Sequence, residues 1–362
     1  MSTSSIKSMN VRPLEAAVKL YDHFEAREQV KHYYGLLAIY GLVQAAELEA
    51  ERGDTGLLER CRAILGKFPD EIEHPRYNFP SYTIGGIPKA YAFYKRLMPE
   101  SGGQVTEYAE EMMTAPRDPE GIMKHRYEPD RNLIWIDVAM AVTPYLLFAG
   151  LALGEERYID EAARQTFLMV ERFMDPDNGL LHQCLNFVAP GVFSEDHWSR
   201  GNGWGYIGLT ELVRHLPANS PHRPQAERLF REMSAALLPH QSERGLWRQE
   251  IPFEYSYEES SGTALFLYGY GTGIRLGLLE RSVYEPAFRR GIEGLWRHCI
   301  NEDFSTERSC PGCLCPGEGK EKGTVKAYVT LKLPHRDEPH SFGPFILALT
   351  EAHLNGISEL KR

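Results

Sequence analysis

Asp137 lies in Leu133-Ile134-Trp135-Ile136-Asp137-Val138-Ala139-Met140-Ala141-Val142 and is the only charged residue between Arg131 and Glu155. Apolar surroundings disfavour an ionised carboxylate, so they raise its pKa and suit it to donate a proton near neutral pH. An Asp in the first turn of a helix has the opposite tendency, because free N–H groups and the helix dipole favour its charge. The local sequence leaves both readings open, and one residue on a long helix could serve in both roles. A second concentration of chemical groups follows in His197-Trp198-Ser199-Arg200-Gly201-Asn202-Gly203-Trp204-Gly205. Each glycine costs about 1 kcal/mol relative to alanine inside a helix. Three of them among two indoles, a guanidinium and an amide suggest a pocket wall that backbone approaches closely. The plainer alternative is a glycine-rich loop whose tryptophans plug the end of a bundle. The Arg200 fork matches a carboxylate, and a helix N-terminus favours an anion. His182, His197 and His340 are the histidines with chemical reach, His340 within Asp337-Glu338-Pro339-His340-Ser341-Phe342-Gly343. Glu258-Glu259-Ser260-Ser261-Gly262-Thr263-Ala264 reads most simply as a helix cap.

These residues need a frame. Apolar residues at helical spacing recur along nearly the whole chain, with no long alternating stretch. The periodicity predicts helices near 13–27, 31–51, 55–67, 84–97, 103–114, 133–153, 156–174, 200–216, 222–239, 258–279, 282–300 and 342–355. A short pattern repeats between them: Gly121-Ile122-Met123-Lys124-His125, Gly179-Leu180-Leu181-His182-Gln183 and Gly245-Leu246-Trp247-Arg248-Gln249. Glycine, two apolar residues, a basic residue and then His or Gln recur after successive helix pairs. Six helical hairpins with equivalent loops at one end make an all-α, (α/α)6 barrel. Residues 1–12 are expected to be disordered or extended, and residues 13–362 to form one catalytic domain.

Composition excludes several functions. The 362 residues are 43% hydrophobic, enough for a large core, and the net charge of −10 argues against a nucleic-acid partner. The N-terminal residues lack the apolar segment of a secretory signal. The most apolar stretch, 133–153, is interrupted by Asp137, Thr143 and Pro144, so no membrane span and a cytoplasmic location are expected. Gly-x-Ser-x-Gly, a phosphate-binding loop and His-Glu-x-x-His are all missing, so no cofactor is expected. Cys310, Cys313 and Cys315 could hold zinc with His335 or His340 as a fourth ligand. Without a second Cys-x-x-Cys knuckle they read as a reduced loop, and no metal is expected.

Trp198-Ser199-Arg200-Gly201-Asn202-Gly203-Trp204 closely resembles the Trp-x-Arg-Gly-Asn-Gly-Trp signature of unsaturated uronyl hydrolases, notably glycoside hydrolase family 105 and its relative family 88. Trp135-Ile136-Asp137, Glu259 to Ala264 with Tyr268-Gly269, and Asp337 to Gly343 resemble further family segments in the same order. The resemblance spans about residues 30–355. It implies an (α/α)6 barrel and hydrolysis of a terminal 4,5-unsaturated uronic acid left by a polysaccharide lyase. In that chemistry an Asp protonates C4 of the vinyl ether and water adds at C5. Ordinary glycosidases instead set two carboxylates about the anomeric carbon. Carried onto this chain, Asp137 is the proton donor. Tyr33 or Tyr34, Trp135, His182, Trp198, Arg200, Asn202, Trp204 and His340 line the unsaturated oligosaccharide, with Arg200 on polar groups and Trp204 stacked on the sugar. Two departures stand out. Thr83 occupies the place where family members often carry a second Asp, and His125 or Arg126 stands where a Lys is expected. Unsaturated glucuronyl and galacturonyl substrates, linked to rhamnose or a similar sugar, are therefore equally open. A sugar 2-epimerase using His182 and His340, or a carbohydrate-binding protein without turnover, are the competing readings.

Overall fold

The computed structural model describes residues 10–27, 30–72, 85–124 and 129–362; Thr83, His125 and Arg126 lie outside the described residues. In chain order the helices are α1 (Pro13–Glu25), α2 (Tyr33–Glu51), α3 (Gly56–Gly66), α4 (Gly86–Tyr94), α5 (Gly102–Met113), α6 (Asp137–Ala141) and α7 (Thr143–Leu153). They continue as α8 (Glu156–Phe173), α9 (Ser199–His215), α10 (Arg223–Leu237), α11 (Ser260–Arg275), α12 (Arg281–His298), α13 (Val325–Leu331) and α14 (Phe342–Leu354). Two classes separate by sequence pattern. Helices α2, α4, α7, α9, α11 and α14 are buried on nearly every face through most of their length. A helix apolar all round needs neighbours all round. Helices α8, α10 and α12 carry one apolar stripe and a charged outer face, and so cover the first class.

The inner helices close a ring. α2 packs on α4, α4 on α7, α6 and α7 on α9, α9 on α11, α11 on α14, and α14 back on α2. Outside it α1 lies on α14, α3 on α2, α5 on α4 and α7, α8 on α7, α10 on α9, and α12 on α11. This is the expected (α/α)6 barrel. Inner helices approach closely where glycine allows it. A Cβ at Gly203 would sit 2.5 Å from Leu265 Cδ1, and one at Gly262 2.6 Å from the Ser199 carbonyl carbon. At the ends of the chain path Val11 pairs with Leu360.

Several boundaries differ from expectation. The stretch 133–153 is not one helix: Ile134–Trp135 is an extended segment, β1, followed by α6 and, after a break at Val142, by α7. Pro144, near the start of α7, lacks an N–H and its ring would crowd the Met140 carbonyl of a continuous helix. β1 pairs antiparallel with β2 (Cys184–Leu185), and β3 (Trp247–Arg248) pairs likewise with β4 (Glu258–Glu259). Pairing in β4 delays α11 to Ser260. The short helix α13 had no periodic signal.

The repeated loops are one structure used several times. After α5, α8 and α10 the chain closes a turn by Asp118 N–H to Ile122 O, Asp175 N–H to Leu180 O and Ser242 N–H to Leu246 O, at 2.8–2.9 Å. Each turn needs a left-handed residue, supplied by Gly121, Gly179 and Gly245. A fourth copy follows α12, closed by Asn301 N–H to Ser305 O at 2.9 Å, with Phe304 left-handed at φ 61°.

Candidate active site

The N-termini of α2, α6, α9, α11 and α14 meet at one end of the ring. Arg200 in the first turn of α9 donates to the Ser261 hydroxyl of α11 at 3.1 Å, while Tyr33 of α2 bonds His340, just before α14. Ile136, preceding α6, lies against Gly201 and Gly205 of α9.

Asp137 is the first residue of α6, and it is half-buried. β1 delivers it there: Ile136 N–H donates to Gln183 O at 2.9 Å, which extends the pairing with β2 up to the carboxylate. Both local readings therefore apply, and burial wins. It lifts the Asp137 pKa to about 7; the Arg200 charge and a backbone N–H pull it down, and the neighbouring Asp196 adds to the rise. Its Oδ2 is sealed from solvent with no hydrogen-bond partner. A protonated carboxyl with an unsatisfied oxygen is equipped to donate a proton.

The tryptophan-glycine motif forms the start of α9. Trp198, Arg200, Asn202 and Trp204 are each at most 1% exposed; the Asn202 amide and the Arg200 terminal nitrogens bond to protein, while Trp198 Nε1 and Arg200 Nε are buried without a hydrogen-bond partner. Asn202 Oδ1 accepts from Leu181 N–H at 2.7 Å, while its Nδ2 donates to Leu181 O at 2.9 Å. The Arg200 guanidinium donates to the carbonyls of Cys310 and Pro311 and stacks 4.6 Å over Trp198. These residues build the wall of the mouth. Arg200 still sets the local field, since Asp137, Tyr33 and Glu338 all feel its charge.

Two buried carboxylates brace this wall. Glu259, the residue before α11, accepts from Ser261 N–H (3.0 Å), Gly262 N–H (2.7 Å), Ser199 Oγ (3.0 Å) and Cys310 N–H (3.0 Å). The cap read from sequence is present, and it fastens α9 and the cysteine loop as well. Asp196, fully buried, accepts from Trp198 N–H at 3.1 Å. Sequence reasoning missed Asp196 and also Glu338, although Glu338 stands two residues from His340.

His182 bonds the Asp196 carbonyl through Nδ1 at 3.1 Å and stacks on Phe193. Its neighbour Gln183 turns fully inward, donating to Cys313 O at 2.6 Å and accepting from Tyr328. Gln249 is buried at the same place in the repeat, so the last position faces the interior in these two copies. Among the described residues Asp175, His182 and His197 bring ligand atoms within 4.8 Å of one another. His197 Nε2 lies 3.0 Å from Asp175 Oδ2, and the Asn178 Nδ2 lies 2.9 Å from His197 Nε2 and 3.2 Å from Asp175 Oδ2. The cysteines do not gather around one centre. Cys310 bonds Cys313, whereas Cys315 bonds Cys184, and His340 is engaged elsewhere. Trp135 packs edge-on against Phe187, and Tyr34 lies 5.1 Å from the His340 ring.

The family model for Glycosyl Hydrolase Family 88 matches residues 15–355. The chain belongs to that family. It is 30% identical over 179 residues to an unsaturated 3S-rhamnoglycuronyl hydrolase of Formosa agariphila, covering 47% of each protein. It is 25% identical over 169 residues to the unsaturated rhamnogalacturonyl hydrolase YesR of Bacillus subtilis, covering 46% of this chain and 48% of that one. The match thus spans about half the length of these curated relatives. A solved structure of a possible family 105 member from Salmonella enterica superposes with a TM-score of 0.80 at 22% identity, over 98% of this chain and 97% of that one. At that identity the likeness speaks to the fold. The family 88 chain therefore carries a barrel whose N-terminal mouth holds Asp137 with its raised pKa, and beside it the buried Glu250, which accepts from His197 N–H and is also pushed above its ordinary value by burial and Asp196. No helix among the described residues is long and apolar enough to cross a membrane.

Proposed function

We propose that this family 88 chain hydrolyses lyase-generated oligosaccharides by releasing their terminal 4,5-unsaturated uronic acid. The observation that carries the reading is Asp137: half-buried at the barrel mouth, with a pKa near 7 and an unpartnered oxygen. A vinyl ether requires a proton on carbon, which an acid still protonated near neutral pH supplies. Asp137 gives its proton to C4, and positive charge develops at C5 and the ring oxygen. Water adds at C5 and returns a proton to the Asp137 carboxylate, leaving a hemiketal. The hemiketal opens to a ketone, and the neighbouring sugar departs. One carboxyl thus serves as acid and then base, which suits a sequence with Thr83 at or near the position where family members often carry a second Asp. The named activities of the Formosa and Bacillus relatives support an unsaturated glucuronyl or galacturonyl group on rhamnose or a similar sugar. Six free thiols fit work in a reducing cytoplasm.

The test is a panel of pectin, ulvan, glycosaminoglycan and gellan lyase digests, followed by loss of the ultraviolet absorbance of the conjugated double bond. One or more digests should lose absorbance with the wild-type protein and none with Asp137→Asn. Wild-type rate in Asp137→Asn would sink the mechanism. Sugar interconversion at constant absorbance would indicate an epimerase instead, and binding without turnover a carbohydrate-binding protein.

A further inference from the structure

The turn after α8 gathers three side chains whose spacing in the sequence matches no metal motif. Asp175 opens that turn, His182 follows it, and His197 comes from the segment before α9. Their ligand atoms lie within 4.8 Å of one another. The His197 side chain is 7% exposed and that of Asp175 21%, so the carboxylate end of the cluster reaches solvent. Each group is held by its own surroundings. His182 lies against the rings of Phe193 and His197, with centres 5.3 and 4.8 Å away. Asp175 Oδ1 accepts from Asp177 N–H at 2.9 Å, which leaves Oδ2 to face the histidines.

Elimination places the hydrogens. A carbonyl only accepts, so the bonds from His182 Nδ1 to Asp196 O (3.1 Å) and from His197 Nδ1 to Leu181 O (3.5 Å) put a hydrogen on Nδ1 of each ring. A neutral imidazole of that tautomer carries a lone pair at Nε2. Asn178 agrees for His197. Its Oδ1 accepts from Leu180 N–H at 2.8 Å, so the atom facing His197 Nε2 at 2.9 Å and Asp175 Oδ2 at 3.2 Å is the amide nitrogen, which donates to both. Yet Nε2 and Oδ2 themselves stand 3.0 Å apart, and neither has a hydrogen to offer the other. Lone pairs that converge in this way favour a positive charge between them. Backbone carbonyls behind both imidazoles are the outer partners that metal-bound histidines use.

We propose that Asp175, His182 and His197 bind a divalent first-row transition cation, zinc above all, as a clip between the turn after α8 and the start of α9. Two imidazoles and a carboxylate suit zinc, with water in the fourth position on the solvent side. Ligands around tetrahedral zinc stand about 3.3 Å apart, so the His197–Asp175 spacing already fits, and His182 closes by at most about 1.5 Å through rotation of its side chain. The Asn178 amide, whose hydrogens point at the same two atoms, gives way to the ion. The proposal stands or falls independently of the hydrolase reading.

The test is calorimetric titration of zinc chloride into the full chain after treatment with a chelator and dialysis. One equivalent should bind with a Kd at or below about 1 μM and raise the melting temperature by about 2–5 °C. Asp175→Asn, which keeps an oxygen for Asp177 N–H, and His182→Gln should each weaken binding at least about tenfold while melting near wild type in chelator. Asn178→Asp keeps an acceptor for Leu180 N–H and replaces the competing amide by a further carboxylate oxygen. It should melt earlier than wild type in chelator, bind zinc about tenfold more tightly and regain its stability with the ion. Cobalt chloride, read by its visible absorption, should bind without the near-ultraviolet sulfur charge-transfer band that Cys310, Cys313 or Cys315 would give. The proposal is overturned if the wild type binds no zinc, if Asp175→Asn and His182→Gln bind as wild type does, if Asn178→Asp binds no tighter, or if cobalt shows the sulfur band.

Discussion

At the residue scale the chemistry depends on how a single carboxyl balances opposed influences. Asp137 must, on the proposed mechanism, be protonated to act on carbon, and its pKa of about 7 divides active from inactive forms. On the proposed mechanism kcat/KM should be level below about pH 7 and fall roughly tenfold per unit above it. Asp137→Asn should lower turnover by about a thousandfold or more. Stability gives an independent reading of the same shift. Between the ordinary carboxyl value of 3.8 and about 7 the folded chain holds a proton that the unfolded chain has lost, so the wild type loses stability as pH rises through that window. Above about 7 the loss is complete. Asp137→Asn lacks the penalty and should be about 1–3 kcal/mol more stable at pH 8, relative to its standing at pH 4, by thermal or denaturant melts. An acid-side advantage for the variant would contradict the raised pKa. The sequence made Asp137 conspicuous by isolating it among apolar residues. It could not settle the pKa, because first-turn N–H groups and burial oppose each other, and because Arg200 and Asp196 come from some sixty residues away.

Elements transmit order from one loop to the next, and glycine made much of that legible. Three turns announced themselves through Gly121, Gly179 and Gly245, while the fourth was hidden because Phe304 takes the left-handed place. The barrel mouth was harder to read. Trp198 to Trp204 has the residue types of a ligand surface, yet the close approach of α9 and α11 draws them into the wall. Glu259 shows how that wall is assembled, since one carboxylate caps α11, holds Ser199 of α9 and anchors Cys310 N–H. Glu259→Ala takes away the acceptor of five buried donors, the Ser261 hydroxyl among them, and should cost about 3–5 kcal/mol in denaturant melts. The glycine turns offer a graded comparison. At Gly245 an added Cβ would meet backbone, 2.2 Å from Arg290 O, whereas at Gly121 it would meet the movable tip of Arg164. Both carry positive φ, so both alanine variants should be destabilised, with Gly245→Ala worse by about 1–2 kcal/mol.

For the whole molecule, the two ends of the ring divide the work. Arg200 and Arg214 are fourteen residues apart on α9, about 21 Å at the helical rise, so Arg214 marks the end opposite the mouth. There the inner helices are joined by charge. Arg214 donates to Gln44 of α2 at 2.5 Å and to the Tyr268 hydroxyl of α11 at 2.6 Å, and Tyr268 donates to Glu211 at 2.6 Å. His215 lies 3.4 Å from the other Glu211 oxygen, and Arg275 binds Glu351 of α14 nearby at 2.8 Å. Burial works to raise the Glu211 pKa, but His215, Arg214 and Tyr268 outweigh it and hold the carboxyl below its ordinary value of 4.5. The sign follows. Glu211 contributes stability that is fully present above about pH 4.5 and is lost as acid protonates the folded form. Glu211→Gln should therefore melt earlier than wild type at pH 7, by about 2–4 kcal/mol, with the gap narrowing as pH falls below 4.5. Below the melting range it should keep kcat/KM within about twofold, because the charge it removes is a helix length from Asp137 and screened beyond about 10 Å. A large loss of turnover with an unchanged melt would mean that the far end of the ring reaches the chemistry, and that the barrel does not separate closure from catalysis.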